Sequence, residues 1–176
     1  MNKIVHFMFD KILLLAPEKI AEQFPISYTY DSFPDSYCGA GNGLGEKLVP
    51  DYIFGFLRPF RYFGFDLSIK ISPACYIHDK EWGDAEPTAF DFDSSNNRLH
   101  TNMESIIEAK ARNAFMKARA LYRPVTYLNA VNIHGKRIFW SMKAGQGHCI
   151  PVEMRKYVSE EAHELFKLRV NSGDII

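Results

Sequence analysis

His78 and Asp79 stand side by side in Ala74-Cys75-Tyr76-Ile77-His78-Asp79, and this dipeptide is the strongest chemical feature of the chain. A neutral imidazole can draw a proton from water near pH 7. A neighbouring carboxylate offers hard oxygen to a cation. Upstream lies Tyr37-Cys38-Gly39-Ala40-Gly41-Asn42-Gly43, followed by Gly45. Alternating glycines permit backbone dihedrals that aim carbonyl oxygens at one point, and calcium accepts several such oxygens in a flexible shell. The two segments together supply a general base and a hard-metal site.

The base must be carried on a helix. Ser72 reads as its cap and Pro73 occupies the first turn without losing a needed donor. Gly83 marks its end. Cys75, His78, Asp79 and Trp82 then sit at spacings of three and four on adjoining stripes. Asp79 points about 100° around the helix from His78, so one can face a substrate while the other holds an ion.

Around this helix the chain reads as one mainly α domain over residues 1–176. Residues 1–30 form a helical segment, in which Ile4, Phe7, Met8, Ile12 and Leu15 lie near helical spacing and Pro17 sets the limit. Asp10 and Lys11 interrupt the apolar run, and the segment is read as an amphipathic helix, not a signal peptide or membrane span. Residues 31–66 are irregular, punctuated by glycines and by Pro34, Pro50 and Pro59. Residues 87–93 read as an acidic connection. A long helix is expected from Ser95 through Arg119 or beyond, broken or kinked at Pro124. A further helix covers 125–133 and stops at Gly135, and a last one spans 152–170.

At 176 residues the chain is long enough for one real hydrophobic core. Its 21 basic and 21 acidic residues cancel, so nothing suggests broad electrostatic attachment to nucleic acid or to anionic membrane. Three cysteines, Cys38, Cys75 and Cys149, are too few for a disulfide-dense scaffold, and no CxxC spacing points to structural zinc.

At this point the residues resemble a known family. The loop around Cys38 and the segment Ala74–Asp79 look like the calcium loop and active-site helix of phospholipase A2. The runs Asn96-Asn97-Arg98-Leu99 to Asn102-Met103 and Arg119-Ala120 to Phe139-Trp140 are similar to its bacterial and phage branch. The likeness covers residues 35–140, leaving 141–176 as a helical extension. It implies a core of two antiparallel helices with a glycine-rich calcium loop and flanking helices. It implies calcium-dependent hydrolysis of a glycerophospholipid sn-2 ester. His78 would activate water, and Asp79 with the carbonyls of Tyr37, Gly39 and Gly41 would bind calcium. Cys38 and Cys75 match a family disulfide. The implied partner is a phospholipid or a membrane interface, with no role for nucleic acid. A Cys38–Cys75 bridge favours an oxidising location, whereas the lack of a visible signal peptide favours cytoplasmic synthesis with another exit.

Three departures stand out. Where the family has an aspartate orienting the histidine, Asn96 is the best match, and an amide cannot stabilise an imidazolium by charge. Asp91 or Asp93 is the alternative for that role. Trp82 stands for a supporting tyrosine and can still donate one hydrogen bond. Asn42 replaces a loop glycine and tolerates left-handed backbone. The alternative function is a catalytically weak or inactive phospholipase A2-like protein that binds calcium or lipid.

Other features have plainer readings. The glycine loop lacks the spacing and preceding strand of a dinucleotide site. Asp91-Phe92-Asp93 lacks the remaining ligands of an EF-hand and reads as a solvated loop. His148-Cys149 reads as a structural or surface pair, and His100 as a plain helical histidine. Residues 52–63, rich in aromatics and arginine, suit a lipid–water interface or core cover equally.

Overall fold

The computed structural model describes residues 3–35, 38, 51–55, 57 and 67–173. Tyr37, Gly39, Gly41 and Asn42, expected in the calcium loop, lie outside the described residues, as does most of the 52–63 stretch.

The first segment is a hairpin and not the expected helix. Strands β1 (Ile4–Phe9) and β2 (Ile12–Pro17) pair antiparallel, from Ile4 opposite Pro17 to Phe9 opposite Ile12. Side chains alternate: Phe9, Ile12, Leu14 and Ala16 are buried while Ile4, Met8 and Leu13 are exposed. This is the period of two that a half-covered strand needs. Asp10 and Lys11 form the turn, both at positive φ (47° and 68°), as a tight two-residue hairpin turn requires. Partners far along the chain support that costly backbone: Asp10 Oδ2 accepts from the Tyr30 amide at 3.2 Å and pairs with Lys110.

Helix α1 (Glu18–Gln23) follows, then the short strands β3 (Tyr52–Ile53) and β4 (Ile69–Lys70), which pair with each other. The rest is helical. Helix α2 covers Ser72–Asp84, α3 Ala89–Lys110, α4 Ala114–Ala120 and α5 Tyr122–Gly145. A 3-10 helix over Val152–Tyr157 precedes α6 (Glu160–Ser172). The mainly α expectation holds, with the hairpin as an addition.

Several boundaries differ for physical reasons. Ser72 is already helical, and its hydroxyl bonds Asp51 Oδ1 at 3.0 Å and caps nothing. Helix α3 starts six residues before Ser95, because Thr88 caps it by accepting from the Asp91 amide. Asp91 and Asp93 are therefore in the helix and not in an acidic loop. The expected run through Arg119 breaks at Ala111, and Asn113 caps the next helix by accepting from the Met116 amide. Pro124 opens α5 and breaks nothing, since first-turn amides have no helical partner. Gly135 lies mid-helix and is no stop. Ser159 caps α6, separating it from the 3-10 turn that was expected to belong to one helix.

Two buried clusters hold these elements. One joins the hairpin, α1 and the inner faces of α2 and α3, through Ile12, Leu14, Phe33, Ile77, Met103 and Ile106. The other gathers Trp82, Phe92, Phe139 and Trp140 between α2, α3 and α5. Asn102 seals the first: its amide exchanges two hydrogen bonds with the backbone of Leu15 (2.7 and 2.8 Å), tying β2 to α3. Lys143 is fully buried and donates to Gly83 O at 3.0 Å, a cation at the carboxyl end of α2 where the helix dipole favours it.

Candidate active site

Helices α2 and α3 run back along each other, so that Trp82 meets Phe92 and Ser95 while His78 meets Asn96. Cys75, one turn before His78, is bonded to Cys38 with Cα atoms 5.3 Å apart. The pairing implied by the resemblance is therefore present. Asp51 reinforces it: its Oδ1 accepts from the Cys38 amide at 3.1 Å and from the Ser72 hydroxyl at the head of α2. The chain at residue 38 is thus held against the first turn of the helix that carries His78.

His78 is 5% exposed and points between the helices. Its Nε2 lies 2.9 Å from Asn96 Oδ1. Asn96 Nδ2 in turn donates to Asn132 Oδ1 at 2.8 Å, on α5. In this polarity the order of donors is determined. Asn96 spends its NH2 on Asn132, its carbonyl oxygen faces the ring, and Nε2 carries the hydrogen. The lone pair is left on Nδ1. Turning both amides over would reverse the whole chain together, so Asn132 is a working part of the arrangement.

Asp79 projects to the other side, with a side chain 55% exposed and Oδ1 3.5 Å from His78 Nδ1. The pair divides as adjacent helical positions should: the base inward, the carboxylate outward. Asp91 and Asp93 do not orient the imidazole. Asp91 serves the Thr88 cap, Asp93 is exposed, and Asn96 occupies the position beside Nε2.

Trp82 packs against the ring at a tilt of 52°, its centroid 4.4 Å from that of His78. Its indole donates to Ser95 Oγ at 2.9 Å, and Ser95 passes a bond to Phe92 O. Behind the indole, α5 comes so close that a Cβ at Gly135 would stand 2.6 Å from the ring edge. The glycine is there because no side chain fits.

Glu81, one turn past His78, was not anticipated. It is 3% exposed, Arg98 Nε donates to its Oε1, and its Oε2 has no partner among the described residues. The arginine favours the carboxylate, but burial outweighs it and pushes the carboxyl up to about 7. Asn132, Glu81 and Gly135 carry no local motif. Only Glu81 had a signal, its place on the His78 stripe. His100 pairs loosely with Glu104 on its own helix, and Cys149 is an exposed free thiol.

The arrangement can hold the imidazole in one orientation with its Nδ1 beside an accessible carboxylate, one turn past the Cys38–Cys75 bridge. Comparison of the chain with protein-family models, with curated proteins and with solved structures finds no match.

Proposed function

We propose that the protein is a phospholipase A2-like hydrolase that cleaves a glycerophospholipid sn-2 ester with calcium. The observation that carries the reading is the ordered chain His78–Asn96–Asn132, combined with Asp79 beside Nδ1 and the Cys38–Cys75 bridge. A water held at Nδ1 gives its proton to that nitrogen as it attacks the ester carbonyl, and the same proton passes to the departing glycerol oxygen as the acyl C–O bond breaks, while Nε2–H stays engaged with Asn96. No side chain becomes acylated.

The donor set fits a hard cation in chemistry. Asp79 is a half-exposed carboxylate one turn past the disulfide, and the remaining ligands would be the carbonyls of Tyr37, Gly39 and Gly41. Among the described residues no cluster of three His, Cys, Asp or Glu could hold a metal, so the site depends on these carbonyl oxygens as calcium sites can. When bound, calcium would stabilise the negative charge that grows on the ester oxygen.

Asn96 favours a second reading. An amide orients the ring but brings no negative charge to the imidazolium, which leaves room for a weak or inactive protein that binds calcium or lipid. One experiment separates the two. Purified protein with phospholipid vesicles should release fatty acid in calcium, stop in chelator and lose activity as His78→Gln. Undiminished release by that variant would refute the assignment of His78 as the base. Calcium binding by calorimetry that Asp79→Asn abolishes, with lipid left intact by the unmodified chain, would establish the binding protein instead.

A further inference from the structure

Between the β1–β2 hairpin and the turn from α2 into α3 lies a cleft of about 180 Å³. Ile4, Pro17 and Ile20 give it an apolar side, and Phe90, 63% exposed, extends that side outward. Glu81, Asp84, Glu86 and Asp91 bring four carboxyl groups to its walls, together with the guanidinium of Arg98.

Three of these carboxyl groups are engaged. Glu81 Oε1 accepts from Arg98 Nε, Asp84 pairs with Lys19 at 2.9 Å, and Asp91 accepts from the Thr88 hydroxyl at 3.1 Å. Glu86 is exposed and makes no ion pair among the described residues. Lys143, held at Gly83 O, adds a buried cation close to Asp84, Glu86 and Asp91. The four acids thus face the cations of Arg98, Lys19 and Lys143, and one negative charge is left over. Within the wall, Glu81 is 3% exposed and its Oε2 has no hydrogen-bond partner among the described residues. A buried carboxylate oxygen without a donor is costly.

We propose that the cleft binds a primary alkylammonium ion, with the ammonium at Glu81 Oε2 and the alkyl stem along Ile4, Pro17 and Ile20. Such a group belongs to a small amine or to a lysine side chain. Other cations fit less well. Among the described residues no group of three His, Cys, Asp or Glu could hold a metal. A guanidinium prefers two parallel carboxylate oxygens, and Arg98 already occupies one oxygen of Glu81. An ammonium carries three donors and a single charge on a narrow apolar stem. The space equals about six molecules of liquid water, room for a chain of about as many heavy atoms. Ester hydrolysis plays no part in this binding, which is tested without phospholipid and in chelator.

The test is an NMR titration of the isotope-labelled full chain with pentylamine and with N-acetyl-lysine methylamide. At about pH 8 the Glu81 carboxyl is ionised and both probes are protonated, as lysine is. Saturable shifts should centre on the amides of Ile20, Asp84, Phe90 and Ser94. Binding of both probes assigns the site to a lysine side chain, and binding of pentylamine alone to a free amine. Tetramethylammonium, with charge but no N–H, and pentanol, with the stem but no charge, should each bind about ten-fold more weakly or worse. Phosphoethanolamine should not bind, because Asp84 and Glu86 repel its phosphate, which tells a lipid headgroup from a simple amine. Glu81→Gln keeps the shape and should weaken pentylamine about ten-fold or more. Glu86→Gln, an exposed change that leaves the core intact, should weaken it by up to about five-fold. Unchanged circular dichroism verifies folding of both variants. The absence of saturable shifts, shifts centred elsewhere, pentanol or phosphoethanolamine binding as well as pentylamine, or unchanged affinity in the folded variants would overturn the proposal.

Discussion

Gly135→Ala is a substitution on which two rules of helix energetics give opposite signs. An alanine in place of a helix-interior glycine normally stabilises by about 1 kcal/mol. Here the new methyl would stand 2.6 Å from the far edge of the Trp82 ring and 3.2 Å from the next atom. That ring cannot swing away freely. It stacks on Phe92 at 5.6 Å, meets Phe139 edge-on at 5.6 Å and is 4.4 Å from the His78 ring. Its indole nitrogen is also committed to Ser95. Overfilling a packed core costs about 1–3 kcal/mol, and a strained or lost buried hydrogen bond adds about 1 kcal/mol. The net expectation is destabilisation of about 1–3 kcal/mol, or roughly 2–12 °C in Tm for a chain of this size. Gly83→Ala is the control. It too is helical, nothing lies within 4 Å of its added methyl, and it should be neutral or stabilising by up to about 1 kcal/mol. Urea unfolding followed by circular dichroism measures both, and tryptophan fluorescence reports the disturbed ring. If Gly135→Ala stabilises as Gly83→Ala does, α5 does not press on Trp82 and the packing behind the imidazole is wrong.

Two further outcomes follow from the same helices. Reducing the Cys38–Cys75 bridge, or replacing Cys38 with Ser, releases a loop of sequence separation 37 and should cost up to about 4 kcal/mol by the chain-entropy relation. Identical urea midpoints with and without reductant would contradict this. Glu81 gives a pH signature. Its folded value, about 7, lies above its ordinary 4.5, so the native chain holds that proton more tightly than the unfolded chain. The associated stability is fully present below about pH 4.5 and is lost as pH rises through about 7, on the order of 3 kcal/mol at most. The difference in unfolding free energy between the unmodified chain and Glu81→Gln should change across that window, and a constant difference would sink the assignment.

What could be read from the sequence was what is local. His78, Asp79 and Cys75 share two helical turns, and a helix from Ser72 needs only Pro73 and the following residues to be recognised. The hairpin was not legible in the same way. Residues 4–16 are apolar almost throughout, so stripes at spacings of three or four and of two can both be drawn. The arbiter is the Asp10-Lys11 turn, whose positive φ values are held by Tyr30 and Lys110, and the lock on Leu15 comes from Asn102, 87 residues away. Gly135 reads as a stop by propensity because Trp82, the reason for the glycine, is 53 positions earlier.

The candidate site divides along the same line. Its chemical groups belong to a contiguous motif, but their orientation does not. The imidazole is aligned through Asn96 by Asn132, 36 residues farther on and three before Gly135. The contact of Trp82 with Gly135 therefore sets how near α5 approaches α2, and with it where the Asn132 carbonyl stands. A methyl at 135 pushes on both ends of the arrangement, at the indole under the His78 ring and at the helix that carries the last amide. Stability and imidazole orientation should fall together in that variant. A loss of one without the other would mean that the amide chain is held by something besides the packing of α5.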